Sequence, residues 1–358
     1  MYLLSLERMG ISSYQKDVHG AVRFINSNLY EKRKIFQTTE DVKLVTKMFP
    51  EGHIYPSGTY IFEDYNYEAH EYFTDVTSNS ELLDQKNKFR PLGSIEGIGF
   101  YSGLNSAEFC EKPYKNLLDS MGFRYIELND ADIRNGKLQG IKLLIVPGGP
   151  DAGESYYAGL GEKGFLEIRN FIESGGSYLG SCAGSYLPLT SEEETTESRI
   201  WLNIVDADEN DGLDYWRTGA GLVRISVKDK EPVAYGICYG RKTTMDVMYW
   251  EGPIFKANSS SIEVIAYYDE FVASGSEKPG WDVSSNSVAV DMMNWCNPLN
   301  KERFNYYMKD RPAAIKTTYG KGKLILFSFH PEFGYIYNPY EQDIIHLFIS
   351  NSIYELMA

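Results

Sequence analysis

The chain has 358 residues, 43% of them hydrophobic, and a formal net charge of −15 at neutral pH. This length and apolar content suffice for one large or two modest domains with a packed core. The acidic balance argues against a nucleic-acid-binding protein, which needs a basic face, and it also disfavours binding to anionic membrane surfaces.

The cysteines and the N-terminal sequence indicate the cellular compartment in which the protein is expected. The four cysteines are widely spaced and form no CxxC pair: Cys110, Cys182, Cys238 and Cys296. The sequence therefore predicts no zinc site and no disulfide framework, which favours a reducing environment. The first apolar run is too short for a signal peptide, and no stretch approaches the ~18 apolar residues of a transmembrane helix. We expect a cytoplasmic protein without a bound metal or cofactor.

Residues 1–92 form an N-terminal extension whose sequence predicts no chemistry. Apolar residues at helical spacing predict helices over 17–34 and 39–49. The Gly-, Pro- and Tyr-rich stretch 51–64 predicts a loop or hairpin, and the charged stretch 84–90 a linker. The extension is expected to be partly helical and to pack on the main domain, with a partner-binding role left open.

Residues 93–358 alternate short apolar strands with helices. Continuous apolar runs indicate strands buried on both faces, and their alternation with helices predicts an α/β fold. We expect a doubly wound, mostly parallel, flavodoxin-like sheet. The first predicted elements are strands at 97–101, 123–128 and 141–146 and a helix at 107–121.

A Pro-Gly-Gly turn follows the strand 141–146. Gly148 and Gly149 allow the backbone to turn its N–H groups inward, which in an acyl-transfer enzyme forms an oxyanion hole. A purely structural turn would have the same sequence. The 33 residues from Gly149 to Cys182 leave room for one crossover helix and one strand.

The segment around Cys182 predicts a strand, a tight turn of small residues and a helix. This is the layout of a nucleophile elbow, whose strained central residue requires small neighbours such as Gly180 and Gly184. The N–H of Ala183 would then be a second oxyanion donor. The N-terminus of the following helix favours the thiolate. Taken alone, the motif also fits a small buried cysteine, so a catalytic role needs a histidine elsewhere.

That histidine follows an apolar strand near the end of the chain. The pattern predicts a hairpin over 313–329 that delivers His330 and Glu332 to the end of a strand. Loops at the same ends of neighbouring parallel strands converge, so a base and a carboxylate there can reach Cys182. The predicted elements between the two motifs are strands at 218–227, 243–250 and 262–268, and the predicted closing element is a helix at 343–357.

Three motifs together carry a family resemblance: GSCAGSY around Cys182, PGG at 147–149 and HPE at 330–332. They resemble the class I glutamine amidotransferases and, more narrowly, the amidotransferase-like domain at the N-terminus of some biotin–protein ligases. The resemblance covers roughly residue 97 onward. It implies that Cys182 is the nucleophile, His330 its base and Glu332 the group that orients the histidine. It also suggests a substrate contact at Glu251, although a surface turn explains Glu251 equally well.

The sequence departs from this family at one informative position. Glutamine amidotransferases usually carry a Gln four residues after the cysteine, whereas this chain has Tyr186. Glutamine is therefore in doubt as a substrate, and we place Gly148, Tyr186 and Glu251 at the substrate. No synthetase or biotin-ligase catalytic domain is recognisable.

Three functions remain open. The first is a cysteine-dependent amidase or amidotransferase-like hydrolase that acts on a small-molecule or peptide amide, or on a γ-glutamyl-type carbonyl, through a thioester. The second is a catalytically silent binding module of the same fold. The third is a redox sensor that uses Cys182. A partner protein and a homo-oligomer both stay open.

Overall fold

The structure is a computed structural model. It describes residues 1–5, 17–63, 72–78, 85–106, 108–150, 153–190, 200–207, 219–237, 243–274, 299–333 and 342–358. The strands in chain order are β1 (Tyr2–Leu4), β2 (Ile35–Thr38), β3 (Val42–Leu44), β4 (His53–Tyr55), β5 (Tyr60–Phe62), β6 (Asp75–Val76), β7 (Phe89–Pro91), β8 (Ile98–Tyr101), β9 (Tyr125–Leu128), β10 (Leu143–Val146), β11 (Ser177–Ser181), β12 (Ala220–Val227), β13 (Thr244–Trp250), β14 (Glu263–Ser274), β15 (Pro312–Tyr319) and β16 (Gly322–Phe327).

In the described ranges, the α-helices are fewer than the strands. They are α1 (Val18–Tyr30), α2 (Glu108–Ser120), α3 (Asp130–Arg134), α4 (Glu154–Glu173), α5 (Ala183–Tyr186), α6 (Lys301–Arg303), α7 (Gln342–Ile345) and α8 (Leu347–Leu356). None of the helices in the described ranges is long and apolar enough to cross a membrane.

A nine-stranded mixed sheet forms the centre of the molecule, in the order β13-β12-β14-β15-β16-β11-β10-β8-β9. From β16 to β9 all neighbours pair in parallel. From β13 to β16 all neighbours pair antiparallel. The prediction of a mostly parallel sheet is therefore correct for only one half of it. In the other half, β15 and β16 are joined by a tight hairpin, a connection that only antiparallel strands can have.

Both faces of the parallel half are covered. Along β10, Leu143 and Ile145 join one hydrophobic cluster, while Leu144 and Val146 join another. Successive strand residues point to opposite faces, so the sheet separates the two clusters. Helices α1, α2 and α8 contribute to the first cluster, and α3 and α4 to the second. This explains the uninterrupted apolar run of β10.

The N-terminal extension is mainly β-structure. It contains a five-stranded sheet, a two-stranded sheet and α1. The predicted helix at 17–34 is confirmed as α1, but the predicted helix at 39–49 is wrong. In β3 the side chains of Val42 and Leu44 are buried and that of Lys43 is exposed, which is a period of two, and the strand pairs with β4.

A buried amide joins the extension to the α/β region. Asn26 of α1 donates from Nδ2 to the carbonyl of Met121 at 2.8 Å and accepts at Oδ1 from the Tyr354 hydroxyl at 2.7 Å. All three groups lie in the hydrophobic cluster that α1 shares with α2 and α8. The side chain of Asn26 therefore satisfies two polar groups that would otherwise be buried without partners.

We expect the Asn26→Ala variant to lower the free energy of unfolding by about 2–4 kcal/mol, because it leaves the Met121 carbonyl and the Tyr354 hydroxyl unpaired in the core. Urea unfolding measures this. Asn28→Ala is the matched control: Asn28 is also buried in α1, but among the described residues its side-chain amide bonds only to the Phe24 carbonyl in the same helix. Its expected cost is about 1 kcal/mol. Equal losses in the two variants would contradict this description of the interface.

Candidate active site

The turn between β11 and α5 holds Cys182 in a strained conformation. Cys182 has φ 51° and ψ −118°, in the positive-φ region that residues with a Cβ rarely adopt. Its N–H donates to the Phe327 carbonyl at 3.0 Å. A Cβ on Gly180 would lie 2.5 Å from the Gly184 carbonyl oxygen, and one on Gly184 would lie 2.1 Å from the Val146 carbonyl oxygen. The small neighbours predicted for a nucleophile elbow are therefore required by close backbone contacts.

The helix after the turn is shorter than the sequence suggests. Helix α5 has only four residues, and Pro188 follows shortly after it and has no N–H to continue the helical hydrogen bonds. So short a helix sums few peptide dipoles, which makes the predicted effect of its N-terminus on Cys182 small. A charge that stabilises a thiolate at Cys182 must therefore come from other groups.

His330 and Glu332 follow the neighbouring strand. β16 pairs in parallel with β11, with Phe327 opposite Ser181, so the residues after both strands emerge at the same edge. His330 Nδ1 lies 2.8 Å from Glu332 Oε1, and the two side chains are 1% and 3% exposed. The Phe333 ring stacks on the imidazole at a centroid distance of 4.7 Å. The imidazole is thus held on one side by a carboxylate and on one face by an aromatic ring.

The environment of His330 favours its protonated form. Burial alone lowers the pKa, but the nearby Cys182 and Glu332 groups outweigh it, and the net pKa is raised to about 10. In the thiol form, Cys182 Sγ donates to the Trp250 carbonyl at 3.3 Å, and His330 Nε2 has no acceptor or donor among the described residues. Transfer of the thiol proton to Nε2 would give a thiolate and an imidazolium that attract each other.

The Pro-Gly-Gly turn that was predicted to supply an oxyanion donor borders the side chains of Cys182 and His330. A Cβ on Gly148 would approach His330 Cε1 to 2.9 Å and the Cys182 Cβ to 3.3 Å, so this backbone borders both groups. A Cβ on Gly149 would lie 1.9 Å from the Asn105 carbonyl oxygen, which requires glycine there. Within the described ranges, the N–H groups of Gly149 and Ala183 donate to no protein acceptor. Unpaired backbone donors at such a turn suit a developing oxyanion.

The two other residues assigned to the substrate differ in position. Tyr186 is buried in the second hydrophobic cluster, with its ring 6.1 Å from that of Trp201. Glu251 has φ 46° and directly follows Trp250, whose carbonyl accepts from Cys182. A Cβ on Gly252 would lie 1.8 Å from the Ser328 carbonyl oxygen, so this turn packs against the strand that carries His330. The turn at Glu251 borders the site, while Tyr186 contributes to the core.

Sequence reasoning missed two neighbours of the site. One is the Trp250 carbonyl, which directly precedes the predicted substrate contact Glu251 but, as a backbone group, has no residue-type signature. The other is Cys110 of α2, which is buried near His330 and Gly148. Burial, with the charge of Glu332 adding to it, raises the pKa of the Cys110 thiol well above its usual value, which disfavours its thiolate form.

Residues 128–199 match the protein-family model described as biotin-protein ligase, N terminal. The matched segment contains the Pro-Gly-Gly turn and Cys182, and it ends before the region of His330. This match shows similarity of that segment to the N-terminal region of biotin–protein ligases. It spans about a fifth of the chain and leaves the degree of relatedness open.

Several solved structures are similar to the chain at low identity. A structure described as a glutamine amidotransferase is 16% identical to this chain. The match covers 72% of this chain and 98% of the other, with a TM-score of 0.41. PurLQS from Thermotoga maritima is 14% identical, and the match covers 72% of this chain and 98% of the PurLQS chain, with a TM-score of 0.46. A glutamine amidotransferase from Thermotoga maritima is 12% identical over 67% and 78%, with a TM-score of 0.39. No curated protein gave a significant sequence match.

Proposed function

We propose that the chain is a cysteine-dependent amidase or amidotransferase-like hydrolase with a Cys182–His330–Glu332 triad. The observation that carries the proposal is the 2.8 Å contact between His330 Nδ1 and Glu332 Oε1 beside a cysteine held at positive φ. A carboxylate on one imidazole nitrogen fixes the tautomer and leaves the other nitrogen for the nucleophile's proton.

The reaction would proceed through a thioester. Cys182 Sγ attacks the carbonyl carbon of an amide, and its proton moves to His330 Nε2. The N–H groups of Gly149 and Ala183 would stabilise the tetrahedral oxyanion. Collapse breaks the C–N bond, and the amine leaves with the proton from His330. Water then attacks the thioester with His330 as base, which releases the acid and restores the thiol.

The substrate class is a small-molecule or peptide amide, including γ-glutamyl compounds. Two features support leaving glutamine itself aside: Tyr186 stands where related enzymes place a glutamine side chain, and its ring is buried in the second hydrophobic cluster. A binding module that has lost turnover is the second candidate, and the same substitution favours it.

The finer fold assignment belongs to the same proposal. Numbered among themselves, the five parallel strands have the order second, first, third, fourth, fifth. This is the order of flavodoxin-like sheets, in which ligands bind at the carboxyl ends of the strands. Cys182 and His330 both follow such ends. We assign residues 93–358 to this domain and residues 1–92 to an extension that packs on it.

Release of p-nitroaniline from a panel of γ-glutamyl and peptidyl p-nitroanilides tests the proposal. We expect turnover of at least one member by the 358-residue chain. Saturable binding of the same compounds without release of p-nitroaniline would support the non-catalytic binding module instead.

A further inference from the structure

A small space lies between Cys110 and the proposed triad. An added Cβ on Gly148 would lie 2.9 Å from His330 Cε1, 3.0 Å from Cys110 Sγ and 3.3 Å from the Cys182 Cβ. Glycine at this position therefore keeps open a point that a thiol, an imidazole and the nucleophile's side chain all face. All three side chains are buried.

The groups around this space are metal ligands. One ligand atom from each of Cys110, His330 and Glu332 lies within 4.8 Å of the other two. In tetrahedral zinc sites the ligand atoms are about 3.6 Å apart, so side-chain shifts of about 1 Å would bring these three atoms to zinc-binding distances. One further buried ligand atom, Glu332 Oε2, makes no hydrogen bond to any described residue. Buried polar atoms of this kind are normally satisfied, which points to a ligand.

We propose that Cys110, His330 and Glu332 bind a zinc ion, and that bound zinc withdraws His330 and Glu332 from Cys182. A thiolate, an imidazole and a carboxylate together suit Zn²⁺, whereas Mg²⁺ and Ca²⁺ require oxygen ligands. Binding ionises the Cys110 thiol and releases its proton. The inhibitory consequence rests on the proposed hydrolase function, but the binding does not.

Zinc binding is measured on the 358-residue chain by competition with a chromogenic chelator. Co²⁺ serves as a spectroscopic substitute because a thiolate ligand gives it an intense charge-transfer band. We expect one zinc ion per chain in the wild type and at least about tenfold weaker binding in Cys110→Ser. Gly148→Ala, which places a methyl group in the space, should weaken binding similarly. Cys238→Ser and Cys296→Ser, which remove thiols outside the described residues, are the controls and should bind as the wild type does.

Iodoacetamide alkylation of Cys182, read by mass spectrometry, links the zinc site to the nucleophile. Zinc should slow this alkylation in the wild type and protect Cys182 far less in Cys110→Ser. Equal zinc affinity in wild type and Cys110→Ser, or no binding by the wild type, would overturn the proposal. Failure of the hydrolase proposal has a different signature: no amide turnover in zinc-free protein, with the zinc affinities unchanged.

Discussion

Replacement of Cys182 by alanine is expected to abolish hydrolysis of the p-nitroanilide substrates, with kcat/KM reduced at least about 10³-fold. The sulfur is the atom that forms the thioester, and the strained backbone at φ 51° presents it at the edge where β11 and β16 end. Alanine keeps a Cβ at the same backbone position and removes only the sulfur. The folded state should therefore persist while turnover is lost.

Cys110→Ala is the matched control for this experiment. Both thiols are buried and both lie near His330, but only Cys182 occupies the elbow. In zinc-free protein, Cys110→Ala should keep kcat/KM within a few-fold of the wild type. Persistence of turnover in Cys182→Ala, or loss of turnover only in Cys110→Ala, would show that Cys182 is not the nucleophile.

Glu332→Gln is expected to lower kcat by about 10²–10⁴-fold, because the amide no longer fixes the imidazole tautomer or stabilises the imidazolium. It should also change the pH profile. Glu332 is one of the groups that raise the His330 pKa to about 10, and burial opposes it. Removing the carboxylate therefore lowers this pKa, so activity that depends on protonated His330 is lost at a lower pH as the pH rises.

The control for this substitution is Glu231→Gln. Glu231 is 4% exposed, against 3% for Glu332, and its carboxylate pairs with the Lys316 ammonium at 3.2 Å. Its loss should reduce stability and leave the alkaline limb of the pH profile where the wild type has it. A Glu332→Gln enzyme with wild-type kcat and an unshifted alkaline limb would exclude the carboxylate from the mechanism.

The elements with strong periodic patterns were predictable from the sequence. Strands β8, β10 and β11 and helices α1 and α2 lie where the apolar patterns place them, because burial on one or both faces determines which residues must be apolar. The order and direction of β12 to β15 were not, because pairing between separate strands depends on contacts distant in sequence. The 39–49 segment was misassigned because a short apolar run fits both periods.

The proposed site divides in the same way. Cys182, His330 and Glu332 could be grouped because each follows a predicted strand, and parallel strands end at a common edge. Cys110 and the Trp250 carbonyl could not be added to them. Cys110 reaches the site only through the packing of α2 against the sheet, and a backbone carbonyl has no residue-type signature. The spacing of cysteines therefore carried no hint of the proposed zinc site.

The central claim is that His330 makes Cys182 a reactive nucleophile. The most direct measurement is the rate of iodoacetamide alkylation at Cys182 in zinc-free protein at neutral pH, in the wild type and in His330→Ala. We predict that the wild-type rate exceeds the variant's by at least about tenfold, because the imidazolium favours the thiolate. Equal rates in the two proteins would contradict the account.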